Sequence, residues 1–435
     1  MSGEPIIAAC GIFALFALLM SGVPIGVALG LTGIGGLTAT LGLEPALIKS
    51  GVVVFDTMSR YEFGVLPLFL LMAHLCFAAD ASRDFFKAAA SFFGHRPGGL
   101  ALASIGACAG FGAISGSSLA SAATVGLVAL PEMRERGYSD GFASGAVAAG
   151  GTLGQAVPPS TALIVFGIIA EQSIGQLFIA SLLPALTQIL FYFAVVVLVA
   201  RWRPAWAPAE PRKSWGERRR ALVRVADVSA LILLVIGGIA FGWFTAPEAG
   251  SVGACGALLL CAWRRRLTRG SLRRAITETL RTTGMIYLIV IGALIFSVFI
   301  SVSGLSGIVG GLVGAAGGNR ILTLFFVTVV LLLLGSVLDG LSLMLVATPL
   351  LLPVLQGLGY SPIWFGIFLV RAMEIGFVHP PIGMNLYVIQ GIAPDIPLER
   401  IFKGVLPFLA ADLLHLTLLM AVPAIALVLP RVLGQ

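Results

Sequence analysis

The chain has 435 residues, 58% of them hydrophobic and 11% charged, with a mean hydropathy of +1.03. Soluble domains carry about a quarter charged residues, so this composition excludes an ordinary soluble chain and points to an integral membrane protein. The formal net charge is +7, but fifteen of the 27 Lys and Arg lie in residues 201–224 and 264–281, beside an apolar hairpin; this is the pattern of cytoplasmic loops and argues against nucleic acid as a partner.

Apolar runs of about 20 residues span a bilayer as helices, and the alternation of a membrane barrel is absent. The first runs, 5–20 and 24–42, are separated by the turn signal Ser21-Gly22-Val23-Pro24. Residues 43–62 are mixed and polar, and 63–80 is the third span. In ASRDFFKAAASFFGHRPGG, Phe85, Phe86, Ala89, Phe92 and Phe93 fall on one helical face and Arg83, Asp84 and Lys87 on the other. That pattern predicts a helix lying along the interface. Cys10, Cys76, Cys108, Cys255 and Cys261 sit in apolar segments without metal-like spacing. MSGEPII has no basic residue, so the first run is expected as a retained span and not a cleaved signal.

Residues 98–133 are too short for two full spans and meet at a polar tip, GAISGSS. Irregular backbone at membrane depth is tolerated only inside protein or beside a watery cavity, so a re-entrant hairpin is expected. Residues 140–170 form a span broken at Pro158-Pro159-Ser160, because proline removes a donor and clashes with the preceding turn. Residues 177–200 are the next span, and 201–224 form a basic cytoplasmic linker. Further spans fall near 225–244, 247–263 and 284–303, with a basic amphipathic piece between the last two. Residues 304–319 stand where the first half has its Phe-rich helix. A second hairpin, 320–357, a second broken helix, 362–392, and an apolar segment, 403–430, complete the chain.

The halves share landmarks. Pro131, Gly137-Tyr138-Ser139, Gly154 and Pro158-Pro159 return as Pro353, Gly359-Tyr360-Ser361, Gly376 and Pro380-Pro381, at a constant offset of 222. Such spacing marks an internal repeat, dividing the chain into residues 1–200 and 225–435. With the basic segments in the cytoplasm and each hairpin returning to its own side, 22 of the 27 Lys and Arg are cytoplasmic and both termini lie outside. Five crossings then separate the hairpins, and an odd number inverts the second half. The expected fold is an all-α polytopic inverted repeat of about ten spans plus two hairpins, an architecture used by secondary transporters.

Helix breaks free carbonyls and N–H groups, and half-helix ends carry partial charges. An N-terminal end suits an anion, whereas unwound carbonyls with hydroxyls suit a hard cation such as Na⁺. Four stretches offer such groups: Ser115, Gly116, Ser117 and Ser118; Pro158, Pro159 and Ser160; Asp339, Gly340 and Ser342; and Pro380, Pro381, Gly383 and Asn385. A lone Gly/Ser run marks close helix packing; duplication with a double proline points instead to two half-sites. Asp339 stands where the first repeat has Ser117, as a cation ligand, an N-cap, or both. Arg371 and Glu374 share a helical face and correspond to Ala149 and Thr152, which favours a structural ion pair over substrate contact. His379 is expected to pack or cap, and His74 carries less weight. An intramembrane serine protease pairing Ser115 or Ser117 with His379 is disfavoured, since the second copy has no serine at the Ser117 position and the first no histidine.

GAISGSSLASAA, GTLG followed by PPS, and LDG, PPIGMNLYV and GIAP together resemble the large membrane (DctM-type) subunit of TRAP (tripartite ATP-independent periplasmic) transporters, over nearly the whole chain. The resemblance implies a scaffold plus a mobile elevator domain holding both hairpins, and no enzymatic activity. It implies Na⁺ as the coupling ion and no other cofactor, with one site at Ser115 to Ser118 and Gly154 to Ser160. The other site would lie at Asp339 to Ser342 and Gly376 to Asn385. The implied substrate is a small organic acid, held between the tips and delivered by a periplasmic binding protein. A separate four-helix membrane subunit would brace the scaffold in a bacterial inner membrane. Arg371, Glu374 and His379 depart from the family's usual residues. No GxxxxGK[ST] motif occurs, so ATP does not drive the chain directly. The alternatives are a self-sufficient carboxylate carrier or a tricarboxylate-type permease.

Overall fold

The computed structural model describes residues 4–305, 307, 310, 311, 319–336, 338–380 and 382–434, and every regular element among them is helical. The chain forms the expected all-α membrane fold. α1 (Glu4–Met20) and α2 (Ile25–Leu41) turn at Gly22, whose φ is +82°, with Pro24 capping α2. α2 lies against α13 (Arg269–Val302): a Cβ on Gly26 would stand 2.7 Å from the Leu288 carbonyl, and one on Gly33 2.8 Å from the Phe296 nitrogen. Small residues two turns apart on one face let two membrane helices touch backbone to backbone.

Several boundaries differ from the sequence reading. Residues 43–59, expected as a mixed connection, form α3 (Leu43–Ser59), set off from α2 by Gly42 at φ +92°. Leu43, Leu47, Ile48 and Phe55 have helical spacing and are exposed; the interspersed Glu44, Lys49 and Asp56 mask that pattern in the hydropathy. α4 (Val65–Ala78) follows a 3₁₀ turn, and α5 (Ala81–Phe93) carries the Phe-rich face. That face is covered by protein: Phe86 is fully buried, Phe85 seats on Gly110, and Phe93 meets Phe193 edge to face at 5.7 Å.

α6 (Gly99–Ser115) and α7 (Ser118–Glu135) make a hairpin, and α8 (Asp140–Ala156) and α9 (Thr161–Ile169) a pair bent by 41°. α10 (Ile174–Trp202), α11 (Trp215–Ala240) and α12 (Ala246–Trp263) follow. α13 fuses the expected basic piece and span into one 34-residue helix, about 51 Å long by rise alone. The hydrocarbon core takes up about 30 Å of this, so its Arg-rich first turns stand clear.

The second half contains α14 (Arg320–Gly335), α15 (Gly340–Gly357), α16 (Pro362–Val378) and α17 (Met384–Ile392). The apolar segment 403–430, expected as one span, is two helices, α18 (Leu398–Ala421) and α19 (Ala424–Val432), because Pro423 interrupts it. Most of 304–319 lies outside the described residues. Among the described residues seven helices are long and apolar enough to cross a membrane, and the α8–α9 pair makes an eighth; α15 passes that test although it is a hairpin arm.

The halves embrace. α7 packs on α17 and α15 on α9, while α8 packs on α18 and α16 on α10. Exchange of equivalent elements is what an approximate two-fold axis between the repeats produces. Residues 142–156 and 363–378 are buried throughout, so the two helices preceding the breaks form the centre of the core.

Candidate functional site

At the first tip Ser115 ends α6, and Gly116 turns the chain at φ +57° with its N–H on the Gly112 carbonyl (2.9 Å). Ser117 caps α7 by accepting from the Ala120 N–H (3.4 Å), and Ser115 Oγ lies 3.0 Å from Ser121 Oγ. The Gly116 carbonyl accepts from Thr161 Oγ1 (2.8 Å) and from its N–H (3.3 Å). A Cβ on Gly116 would come 2.7 Å from the Pro159 carbonyl. The tip therefore lies directly on the break. There Val157, Pro158 and Pro159 interrupt the helix, with a cis bond between the prolines, and Ser160 caps α9 by accepting from Leu163 (3.3 Å). Two glycines let the tip and the helix before the break come this close: a Cβ on Gly154 would run into the Ser117 carbonyl, and one on Gly112 would stand 2.6 Å from the Gly154 Cα.

The second tip repeats the plan with different atoms. Asp339 caps α15, its Oδ2 accepting from the Ser342 N–H (3.3 Å). Gly340 fits under Met373, whose Sδ a Cβ would approach to 2.5 Å, and a Cβ on Gly376 would meet the Gly335 carbonyl at 2.5 Å. Gly112 facing Gly154 thus has its counterpart in Gly335 facing Gly376. His379 and Pro380 interrupt the helix; the Gly383 N–H bonds to the His379 carbonyl (2.9 Å), while Pro381 lies outside the described residues. Ser342 Oγ and His379 Nδ1 are buried without a protein partner among the described residues.

Asn385, fully buried in the first turn of α17, crosses to the other repeat. Its Nδ2 donates to Ser118 Oγ (2.9 Å) and to the Ala148 carbonyl (3.0 Å). The second break is therefore tied to the first hairpin. Among the described residues no hydrogen bond joins Asp339 to Asn385 or Ser118, so Asp339 stands apart from the Ser118–Asn385 pair. Each tip brings together C-terminal carbonyls of one arm and N-terminal N–H groups of the next, partial charges of both signs.

A second polar cluster lies deeper. Arg371, 1% exposed, pairs through Nη1 with Glu374 and through Nη2 with Asp412 Oδ1 (2.8 Å), and Nε donates to His415 Nδ1 (3.2 Å). The Tyr192 hydroxyl lies 2.7 and 2.8 Å from the Asp412 oxygens and 3.0 Å from Thr152 Oγ1, and Gln188 Nε2 donates to it (3.1 Å). Thr187 closes the cluster on His415 Nε2 (2.8 Å). The guanidinium is thus engaged on every side by protein. Asp412, His415, Tyr192 and Thr161 were not singled out from the sequence. Asp412 and His415, three apart in an apolar segment, were the available signal, since ionisable groups in such segments need partners.

The chain has relatives of known class. The family described as tripartite ATP-independent periplasmic transporter, DctM component, matches residues 12–425. The C4-dicarboxylate TRAP transporter large permease protein of Rhodobacter capsulatus is 32% identical over 437 residues, covering 97% of this chain and 98% of the relative. The isethionate TRAP transporter permease protein of Oleidesulfovibrio alaskensis is 32% identical over 97% of this chain, which spans 66% of that longer protein. The crystal structure of the Alcanivorax borkumensis YdaH transporter shares the fold with a TM-score of 0.58 at 16% identity, over 87% of this chain and 89% of that one. With its repeated tip-and-break units and a family match over almost its whole length, the chain belongs to the DctM-component family and is the large permease subunit of a TRAP transporter, a multi-pass membrane protein and not an enzyme.

Proposed function

We propose that the chain carries a small organic acid across a bacterial inner membrane by Na⁺ symport, taking its substrate from a periplasmic binding protein. The observation that carries the reading is the bond between Ser118 and Asn385, which joins one repeat's tip to the other's break. A solute held between the tips would meet both half-sites at once. Na⁺ is suited by the carbonyl and hydroxyl oxygens around Gly116, Ser117, Ser118 and Asp339, and the carboxylate by the N-terminal ends of α7, α9, α15 and α17. The relatives' names denote small organic anions, isethionate and C4-dicarboxylates, and support an acid as cargo. The hairpins and broken helices would move together as an elevator domain in an inverted repeat, both termini periplasmic, against a scaffold braced by a small four-helix subunit.

Proteoliposomes containing this chain, its small subunit and candidate binding proteins test the reading. Uptake is expected only with an inward Na⁺ gradient and a loaded binding protein. Uptake without a binding protein would favour the self-sufficient carrier, and uptake indifferent to Na⁺ would remove the ion from the mechanism.

A further inference from the structure

Away from the tips, three spans end around one charged cavity. α4 finishes at Ala78, α12 finishes at Trp263, and the apolar length of α11 starts just beyond Arg224. With the first turns of α5 these ends surround an open cleft of about 550 Å³. Spans end at the headgroup level of a bilayer, and Trp263 on the rim, 86% exposed, is the residue type that settles there.

The lining is rich in cations that the protein does not neutralise. Arg264 takes up two of the three acids: Nη1 bonds Asp84 Oδ2 (2.6 Å) and the Ala79 carbonyl (3.0 Å), while Nη2 and Nε bond Asp227 (2.6 and 2.8 Å). Arg266 pairs with the third, Asp80, at 3.1 Å. Arg83, Lys87 and Arg224 also line the cavity and form no ion pair among the described residues. A smaller cavity of about 260 Å³ continues from it, sharing Asp84, Lys87 and Arg224; its own Lys213 and Arg220 are matched by Glu132 and Glu217, so the excess of cations stays in the larger cavity. On the other side the wall runs out onto apolar helix: Val223 lines the cavity and is 66% exposed, and Leu259 of α12 is 70% exposed.

Three unpaired cations on a pocket at headgroup level, opening onto an apolar surface, match one kind of ligand. We propose that this cavity is the headgroup site of an anionic phospholipid. Its phosphate pairs with Arg83, Lys87 and Arg224, and its acyl chains lie along the exposed faces of α11 and α12. A free phosphate would use the cations but not the apolar wall. α5 joins α4 to the first hairpin and is already tied to α12 through Asp84 and Arg264; a bound lipid adds a second tie and fixes how the hairpin hangs from these helices.

The test reads binding, so it stands apart from the transport reading. Purified full-length chain in detergent is incubated with phosphatidylglycerol, phosphatidylcholine or inorganic phosphate, and retained lipid is counted by native mass spectrometry. Each basic residue near an anionic headgroup contributes several-fold in affinity, so R83Q/K87Q/R224Q together should weaken phosphatidylglycerol retention about tenfold or more. R273Q/R274Q, outside the cavity, should leave it unchanged, and phosphatidylcholine should be retained weakly by all three proteins. Equal retention by the triple variant, an equal loss in R273Q/R274Q, or full displacement of the lipid by inorganic phosphate would overturn the proposal. Should the triple variant fail to fold, Arg224→Gln alone, at an exposed position, is expected to lose part of the retention.

Discussion

Arg371→Met separates a structural arginine from a substrate-binding one. The guanidinium serves Glu374, Asp412 and His415 at once, and neither it nor its partners reach the surface. Removing it leaves two carboxylates facing each other where water is excluded, and breaking a buried ion pair in this way costs about 3–5 kcal/mol. At about 2.1 cal/mol/K per residue, unfolding this chain carries about 0.9 kcal/mol/K, so the Tm in detergent should fall by about 3–5 °C. Asp412→Asn should cost less, about 1–3 kcal/mol, because Arg371 and Glu374 then balance and the amide keeps an oxygen for Tyr192. R371M/E374M/D412L, which removes all three charges and keeps the volume apolar, should recover most of the loss. Thermal unfolding followed by intrinsic fluorescence, beside uptake in proteoliposomes, reads both effects. An unchanged Tm in Arg371→Met with a raised apparent KM would refute the argument and place the guanidinium on the substrate. A larger fall in Asp412→Asn than in Arg371→Met would refute the charge count.

Other substitutions probe the tips and their supports. Gly112→Ala and Gly376→Ala drive a methyl into facing backbone and should each destabilise by about 1–3 kcal/mol and stop uptake, whereas Gly357→Ala, with open space around it, should be silent in both assays. Asp339→Asn keeps a good cap and removes only charge, so a role in Na⁺ binding predicts a raised Na⁺ requirement with Tm unchanged. Asp339→Ala should also lose about 0.5–2 kcal/mol of stability, and identical Na⁺ curves for wild type and Asp339→Asn would leave the residue a cap alone. Ser118→Ala deletes the bond to Asn385 and should cost about 1 kcal/mol while raising the Na⁺ concentration for half-maximal uptake; Na⁺ titration of uptake measures it. At the surface, Arg134 beside Asp395 holds that carboxyl below the usual carboxylate range. A lowered pKa stabilises the fold above the unfolded value of about 3.9 and loses that effect as pH falls through the folded value. Asp395→Asn should therefore lower the unfolding midpoint equally at neutral and mildly alkaline pH and make no difference in strong acid.

Much of the fold could be read from local chemistry, because a helix break needs only proline or a glycine tip to announce itself. The offset of 222 also exposed the second hairpin, whose tip carries Asp339 in place of a serine run. Other features had no local signal. Ser118 and Asn385 lie 267 positions apart, and only the packing of α7 on α17 brings them together. α3 was hidden because its charges dilute the hydropathy while its apolar residues keep helical spacing. α13 was hidden for the opposite reason: a change from basic to apolar looks like a boundary, yet a helix can run from headgroups into the core without one. Asp412 and His415 were visible as charges, but their partner Arg371 lies on another helix, and an ion pair across helices leaves no spacing to find.

The buried cluster also explains why the two breaks are held in fixed relation. Thr152 and Glu374 occupy equivalent positions in the repeats, each five residues before its helix gives way to Val157 or His379. One repeat uses a neutral hydroxyl there and the other a charge, so the repeat symmetry is broken at the atoms while the level in the helix is kept. Tyr192 joins them: its hydroxyl meets Thr152 on α8 and Asp412 on α18, and Asp412 holds Arg371 on α16. The chain of contacts from α8 through Tyr192 and Asp412 to α16 contains no water-exposed link, and although Gln188 Oε1 and Glu374 Oε1 lack partners beside it, buried hydrogen bonds of this kind resist shear. A helix carrying one break cannot slide past the helix carrying the other without parting these bonds. If the tips bind solute and ion together, Tyr192 makes the two half-sites travel as one body. Tyr192→Phe should then loosen uptake from Na⁺, letting the cation leak without solute, while Tyr192→Ala should also cost stability through the cavity left beside Phe408.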